Sequence, residues 1–568
     1  GPTWFKKNIL GKRTHYSAIA VVTGDPNLGL QHLAIPHIVA KKLKVPVTVT
    51  RYNLEKLKDD ISKSTTKISI IRDKKCRIFS GPSHPDLQIG DVMERSLLDG
   101  DLIFANRSPT IHMHSFIGFE AKIENRHSFG INPTICSPLS ADFDGDILHM
   151  YVPQSLAAKA EVTEMLKVSR QMKSPQGGQS LLGMSEDGLL SSYLMLQTYF
   201  WIGKYHMQML NMYCDSGIPI PAIVKSPEGT PLWTGLQLIS MTLPPHLNSK
   251  DFVISNSEIL ECPADRKRLM KNPNGIVQTV LDQAGPEETS LFLIRIQNVL
   301  HEWLSVVGFS VGLKDLLLAK DFKSRKKLMG EVETGLEEAR DSSRRAVDLF
   351  SISNHMDISC GKEMVKEGSM ASRNNDDIGI EAFQTVFQDI QTTVERYGSS
   401  SNPMLAMVKS GSRGSLIKLV QQSVCLGLQL LDGKRWFHAK ESMGGFWEYP
   451  GIIESSFLDG LKYEEFLNHV ISKRCVPKGY GIEGAGELFR SCMFGMRELC
   501  AAYDGSVRTR NGNHIVQFCY DSASAGGEAV GALAVTAVIE PTYKYTFDQS
   551  VSTTVNPITL LKVRILRG

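Results

Sequence analysis

Short apolar stretches punctuated by turn residues run through the first part of the chain: Pro46 to Thr50, Lys67 to Ile71, Leu102 to Ala105 and Phe116 to Ile123. Runs of this length between turn formers predict β-strands. From Ser155 onward the spacing of apolar positions becomes helical. Leu328, Val332, Leu336 and Ala339 fall on one face of a predicted helix, with Lys, Arg and Glu on the solvated face. Residues 351–378 are polar and aperiodic and predict a loop, as does Tyr397 to Asn402. Between Lys473 and Glu487 stand Pro477, Gly479, Gly481, Gly484 and Gly486. Proline removes a donor and glycine raises the entropy cost, so no regular helix is expected there. There is no internal repeat and no long low-complexity tract.

Composition narrows this picture only a little. The chain has 568 residues, 42% hydrophobic and 22% charged, which suits several globular domains with a substantial core. A net charge of +3 is too mild to argue for a nucleic-acid partner, because a basic channel can be offset by acidic outer surface. The ten cysteines have no C-x-x-C pair, which argues against a disulfide scaffold or zinc site and for reduced thiols. No apolar run reaches the length of a membrane span, and no signal peptide opens the chain, so no membrane partner is expected. A first residue Gly1 and a last residue Gly568 suggest a piece of a longer protein.

The sharpest chemical signal is Ala141-Asp-Phe-Asp-Gly-Asp146. Asp142, Asp144 and Asp146 alternate, so an extended or gently turned backbone can aim all three carboxylates to one side. Their mutual repulsion calls for a divalent cation. Gly145 lets the backbone bend before the last ligand, and Phe143 is expected to face the other way and anchor the loop in apolar core. A calcium loop would need Gly at the sixth position and Glu at the twelfth, where this chain has Ile147 and Pro153. An acidic surface turn remains the plainer alternative, opposed by the apolar flank Ile147, Leu148, Met150, Tyr151 and Val152. All-oxygen ligation suits magnesium, which shares phosphate oxygens with a substrate, the equipment of nucleotidyl transfer. His112 and His114 would share one face of a strand, but a core or surface role suits them better than a metal pair.

Ser140 to Asp146, with Val152-Pro-Gln-Ser155 after it, resembles the magnesium loop of the largest subunits of multi-subunit DNA-dependent RNA polymerases. Other segments resemble that family in the same order. Upstream are Gly11-Lys-Arg13, Gly24-Asp-Pro-Asn-Leu28 and Asn106-Arg-Ser-Pro-Thr-Ile-His112. Downstream are Pro231 to Gln237, Gly308 to Asp315, Ser410 to Gln421, Tyr503 to Arg508 and Gly527 to Leu533. An RNA-dependent polymerase with both barrels on one chain also carries an Asp-rich loop, but it lacks this ordered series.

The resemblance implies a mixed α and β, multidomain fold: a double-psi β-barrel active-site domain followed by mainly helical pore, funnel and cleft regions. It lays out a template-side segment at 1–60, the barrel with its loop at 61–160 and the pore at 161–300. The funnel helices follow at 301–440, the cleft and degenerate bridge-helix region at 441–520, and a degenerate trigger-loop region at 521–568. It implies that Asp142, Asp144 and Asp146 hold Mg2+, that Arg107, Pro109 and Ser140 meet the incoming nucleotide, and that Lys12 and Arg13 touch template phosphates. Implied partners are the second-largest subunit with its own barrel, the smaller subunits, a DNA template, the RNA product and nucleoside triphosphates, in a nucleus.

Departures from the family pattern are as informative. Ser140 stands where Asn is usual, and Ile19 where Arg is usual. The trigger loop's usual Gln, Asn and His are here Lys544, Asp548 and Val551. This combination is similar to the plant-specific RNA polymerases IV and V, with Met496 to Gly505 and Ser324 to Leu328 nearer to IV and Leu419 to Leu430 also like V. The resemblance to IV implies short non-coding RNA precursors for small-RNA-directed DNA methylation and gene silencing, with an RNA-dependent RNA polymerase as a further partner. The type V alternative implies scaffold transcripts, and a catalytically dead scaffold subunit is the other.

Overall fold

The computed structural model describes residues 4, 14–63, 68–72, 75–79, 87–108, 110, 113–174, 178–197, 200–214, 217–249, 253–261, 275–319, 321–357, 384–399, 401–429, 452–474, 480–511, 513–519 and 526–547. They fall into two compact units, residues 1–306 and 307–568.

Ten strands occur in the first unit before residue 152: β1 Ser17–Gly24, β2 His32–Pro36, β3 Lys44–Thr48, β4 Ile68–Arg72, β5 Lys75–Phe79, β6 Val92–Ser96, β7 Leu102–Asn106, β8 Phe116–Glu124, β9 Phe129–Ile131 and β10 Ile147–Tyr151. Six of them close into a barrel in the order β1-β10-β7-β8-β2-β9. Two of its joints are parallel, β8 with β2 and β9 with β1, and the other four are antiparallel. Closure leaves no exposed sheet edge. The apolar runs that predict β7 and β8 place alternate residues inside the barrel: Ile103, Ala105, Ile117 and Phe119 are buried. On β10 the same rule buries Leu148 and Met150 and turns Ile147 outward.

The barrel starts earlier than the expected 61–160. β1 and β2 lie upstream of residue 60, while β3, β6, β4 and β5 form a separate antiparallel sheet inserted between β2 and β7. The barrel order pairs β1 with strands more than a hundred residues later, so nothing local marks it as a barrel strand. The inserted sheet has its own small core of Val49, Leu57, Ile70, Leu87 and Met93. The main core joins the barrel to helices Glu186–Met195, Lys204–Asn211, Gly235–Ser240, Ile276–Gln283 and Gly285–Val307. Within the segment Pro231 to Gln237, Thr234 and Gln237 form a reciprocal capping box that starts the third of these helices.

In the second unit, helix Phe322–Asp357 buries Leu328, Val332 and Leu336, as their spacing predicts. It continues through residues 351–357, the start of the expected loop; 358–378 lie outside the described residues. The expected loop at Tyr397 shrinks to a few residues, because residues 384–397 are helical. A clearer correction is helix Tyr480–Met496, which runs through Gly481, Gly484 and Gly486. Glycine costs only about 1 kcal/mol per helical position, which packing against a neighbouring helix can offset. That neighbour is helix Val530–Phe547: a Cβ on its Gly531 would lie 1.9 Å from the Met496 carbonyl, so the close crossing requires the bare backbone. Among the described residues, no helix is long and apolar enough to cross a membrane.

Candidate active site

The Asp loop joins a short helix, Cys136–Leu139, to β10 at the rim of the barrel. Ser140 ends that helix with φ 47°, and its amide donates to the Cys136 and Ser137 carbonyls. Asn is tolerated in this left-handed conformation better than most side chains, which gives a backbone reason for the family's usual residue here. Gly145 also takes a positive φ, 120°, so the loop bends before Asp146 as its sequence suggests. The loop returns to the barrel through the Val22 amide, which donates to the Asp146 carbonyl at 3.0 Å.

Phe143 does not enter the core. Its side chain is 41% exposed, and its ring lies across Gly24, where a Cβ would come within 2.9 Å of it. The loop therefore rests on bare backbone at the end of β1. A sequence reading sees Gly24-Asp-Pro-Asn as a motif but has no sign that its glycine seats a ring more than a hundred residues later.

Asp142 and Asp144 are exposed, and Asp146 is half-buried. Cross-strand pairing of His149 with Asn106 sets Arg107 beside Asp146. Arg107 Nε donates to Asp146 Oδ2 at 2.7 Å and Nη2 to Oδ1 at 3.1 Å. The Asp142 amide adds a bond to Oδ2 at 2.8 Å. Burial pushes the Asp146 carboxyl up, but the Arg107 hydrogen bonds, the Asp142 amide and the Arg107 charge outweigh it and hold the group below the ordinary carboxylate range. Beneath the loop, burial first and then Asp142 and Asp146 push the Cys136 thiol up to about 12.

Among the described residues, no three Asp, Glu, His or Cys side chains are grouped as a ligand set for a metal. The three carboxylates share one loop, but Asp146 turns to Arg107. The donor chemistry still fits a hard divalent cation. A carboxylate offers about four lone-pair sites, and Arg107 with the Asp142 amide uses three of those on Asp146. Asp142 and Asp144 face solvent. Lys12, Arg13, Pro109 and His112 lie outside the described residues. His114 is buried in the turn Met113–Ser115 and not on a strand, so the expected shared strand face is not formed.

Residues 11–168 match the family described as RNA polymerase Rpb1, domain 2; residues 171–316 match domain 3, and residues 359–449 match domain 4. The chain is 33% identical to DNA-directed RNA polymerase IV subunit 1 of Arabidopsis thaliana, over 97% of the chain and 41% of that protein. It is 31% identical to DNA-directed RNA polymerase V subunit 1 of the same plant, over 95% of the chain and 27% of that protein. Against DNA-directed RNA polymerase III subunit RPC1 of Saccharomyces cerevisiae the figures are 28% identity, 97% and 40%. The chain thus spans about two fifths or less of these curated relatives.

Proposed function

The chain belongs to the Rpb1 family of RNA polymerase largest subunits, and on that premise we propose that it is the catalytic core of a plant-type polymerase IV largest subunit, which joins nucleotides on a DNA template. Its product on this reading is short non-coding RNA, the precursor of small RNAs that direct DNA methylation and silencing in the nucleus. The second-largest and smaller subunits complete the enzyme, and an RNA-dependent RNA polymerase takes up the transcript. The observation that carries the reading is the Asp loop at the barrel rim, with Arg107 fixed beside it by Asp146.

Asp142, Asp144 and Asp146 would hold Mg2+, which when bound activates the RNA 3′ hydroxyl and stabilises charge at the α-phosphate. The chain's own residues position the reactants. Asp146 takes only two of the five N–H donors of Arg107, and those on Nη1 remain to meet the ribose hydroxyls. Ser140 reaches toward the sugar less far than Asn, so Arg107 carries more of the ribose selectivity. Lys12 and Arg13 hold template phosphates, and Pro109 shapes the Arg107 contact.

The test uses the assembled polymerase with Asp142, Asp144 and Asp146 changed to Ala. Extension of RNA annealed to a DNA template should vanish while assembly survives. Retained extension would remove the site assignment, and loss of the complex would mark the loop as structural.

A further inference from the structure

Behind the Asp loop runs a buried polar seam with no part in the proposed chemistry. Asn132, Thr134 and Gln297 are 0%, 2% and 1% exposed. Asn132 Nδ2 donates to the Leu28 carbonyl at 2.8 Å, and its Oδ1 accepts from the Thr134 amide at 2.9 Å. Thr134 Oγ1 donates to Gln297 Oε1 at 2.6 Å, and Gln297 Nε2 donates to the Pro26 carbonyl at 3.0 Å. Gln297 lies on the buried face of helix Gly285–Val307, beside Leu293, Ile296 and Leu300. An apolar side chain would suit that row. A glutamine is tolerated there because both ends of its amide are bonded.

Its two partners belong to the two segments that carry the loop. Pro26 stands in the turn that follows Gly24, the seat of the Phe143 ring. Thr134 lies in the turn Pro133–Ile135, which leads through helix Cys136–Leu139 to Ser140 and Asp142. Arg126 holds the same Gly24 turn by a bond to Asp25 at 3.1 Å, and the Asp25 amide donates to the Ile131 carbonyl at 2.8 Å. Those bonds hold the turn to the barrel; Gln297 ties both turns to a helix outside it.

We infer that Gln297 is a positioning residue of the active site, holding the joined Gly24 and Thr134 turns against helix Gly285–Val307 and so fixing the place of Phe143 and Asp142. The inference rests on the nucleotidyl-transfer reading, but its physical part can be measured without it. A displacement of 1 Å from a distant change can cost about 100-fold in rate.

The experiment compares wild type, Gln297→Leu and the double variant Thr134→Val with Gln297→Leu in the assembled polymerase. The single change leaves the buried Thr134 hydroxyl and the half-buried Pro26 carbonyl without their partner. The double change makes the Thr134 side apolar and should recover part of the lost stability without restoring the tie. Both variants should show kcat for single-nucleotide addition reduced about 10–100-fold, with nucleotide KM unchanged. Amide exchange of residues 141–147 should quicken in both. If kcat and exchange return to wild type with stability in the double variant, the role is packing alone and the inference is overturned. Unchanged exchange in a folded Gln297→Leu overturns it whether or not the enzyme is active. A wild type that does not extend RNA overturns the functional reading instead, and the exchange result then judges Gln297 by itself.

Discussion

Arg107 and Asp146 lie 39 positions apart and are joined by two hydrogen bonds. Truncating Arg107 to Ala leaves a half-buried carboxylate without its cation and should cost about 1–3 kcal/mol. The folded pKa of Asp146 is depressed, so the pair's contribution is present above the ordinary carboxylate value and is lost as pH falls through the lowered one. Thermal unfolding of wild type and Arg107→Ala from neutral to acid pH should converge at the acid end; a constant difference would remove the pair as its cause. Ser140 sits at φ 47°, so Ser140→Asn should stabilise the loop by up to about 1 kcal/mol. On the proposed reading it should also sharpen discrimination against deoxynucleotides, measurable in competition assays; unchanged selectivity would leave the residue a backbone role only. Cys136, with its thiol pushed up to about 12, should resist iodoacetamide at neutral pH while exposed Cys76 and Cys519 react, as peptide mass mapping can read. The carboxylates and Arg107 were visible in the sequence as residue types in a motif. Their pairing was not, because it comes from a cross-strand register, and Phe143 was misplaced because apolar character does not reveal a seat of bare backbone.

The inserted sheet shows how far element-scale reading carries. Pro46 to Thr50 and Lys67 to Ile71 fall close to β3 and β4, since short apolar runs between turn formers are local information. β4 pairs with the next strand, β5, but what joins β3 and β4 into the inserted sheet is β6, further along the chain. β1 carries an apolar run of the same kind, Ala18 to Val22, and its outward Ile19 and Val21 leave no local sign that it belongs to a barrel. The sheet is secured at Asp91, which accepts from Arg72 Nε at 2.8 Å, Arg72 Nη2 at 2.6 Å and the Gln88 amide at 2.9 Å. The Arg72 hydrogen bond lowers the Asp91 pKa from its ordinary 3.8 against the opposing effect of burial. Its stabilisation is therefore complete above that value and disappears as pH falls through the lowered folded one. Asp91→Ala should destabilise the sheet by about 1–3 kcal/mol at neutral pH. Faster amide exchange confined to β3–β6 would register this, and unchanged exchange would mean that the hydrophobic core suffices. Helix Tyr480–Met496 makes the opposite point: composition argued against it, and packing decided.

At the scale of the whole molecule, the order of motifs identified the family more securely than any single one, because each motif alone is a handful of common residues. The proposed rate follows from what the end of the chain lacks. A positioned proton donor contributes about 10²–10⁴-fold to a reaction, and Val551 has no proton to give. Residues 548–568 lie outside the described ones, so this expectation rests on sequence. Single-nucleotide addition should be slow, and substitutions at Asp548 or Val551 should change it by less than about tenfold. A hundredfold loss would mean that a working trigger loop is present. The barrel has a consequence for how the protein is made. β1 cannot complete its pairing until β10 leaves the ribosome, and the inserted sheet lengthens that interval. At about 5–20 residues per second, the roughly 120 residues between the two strands take on the order of 6–25 s to synthesise. Through that time a nascent chain carries Ile19, Val21 and Val22 on an open edge, so folding of the barrel is tied to translation speed.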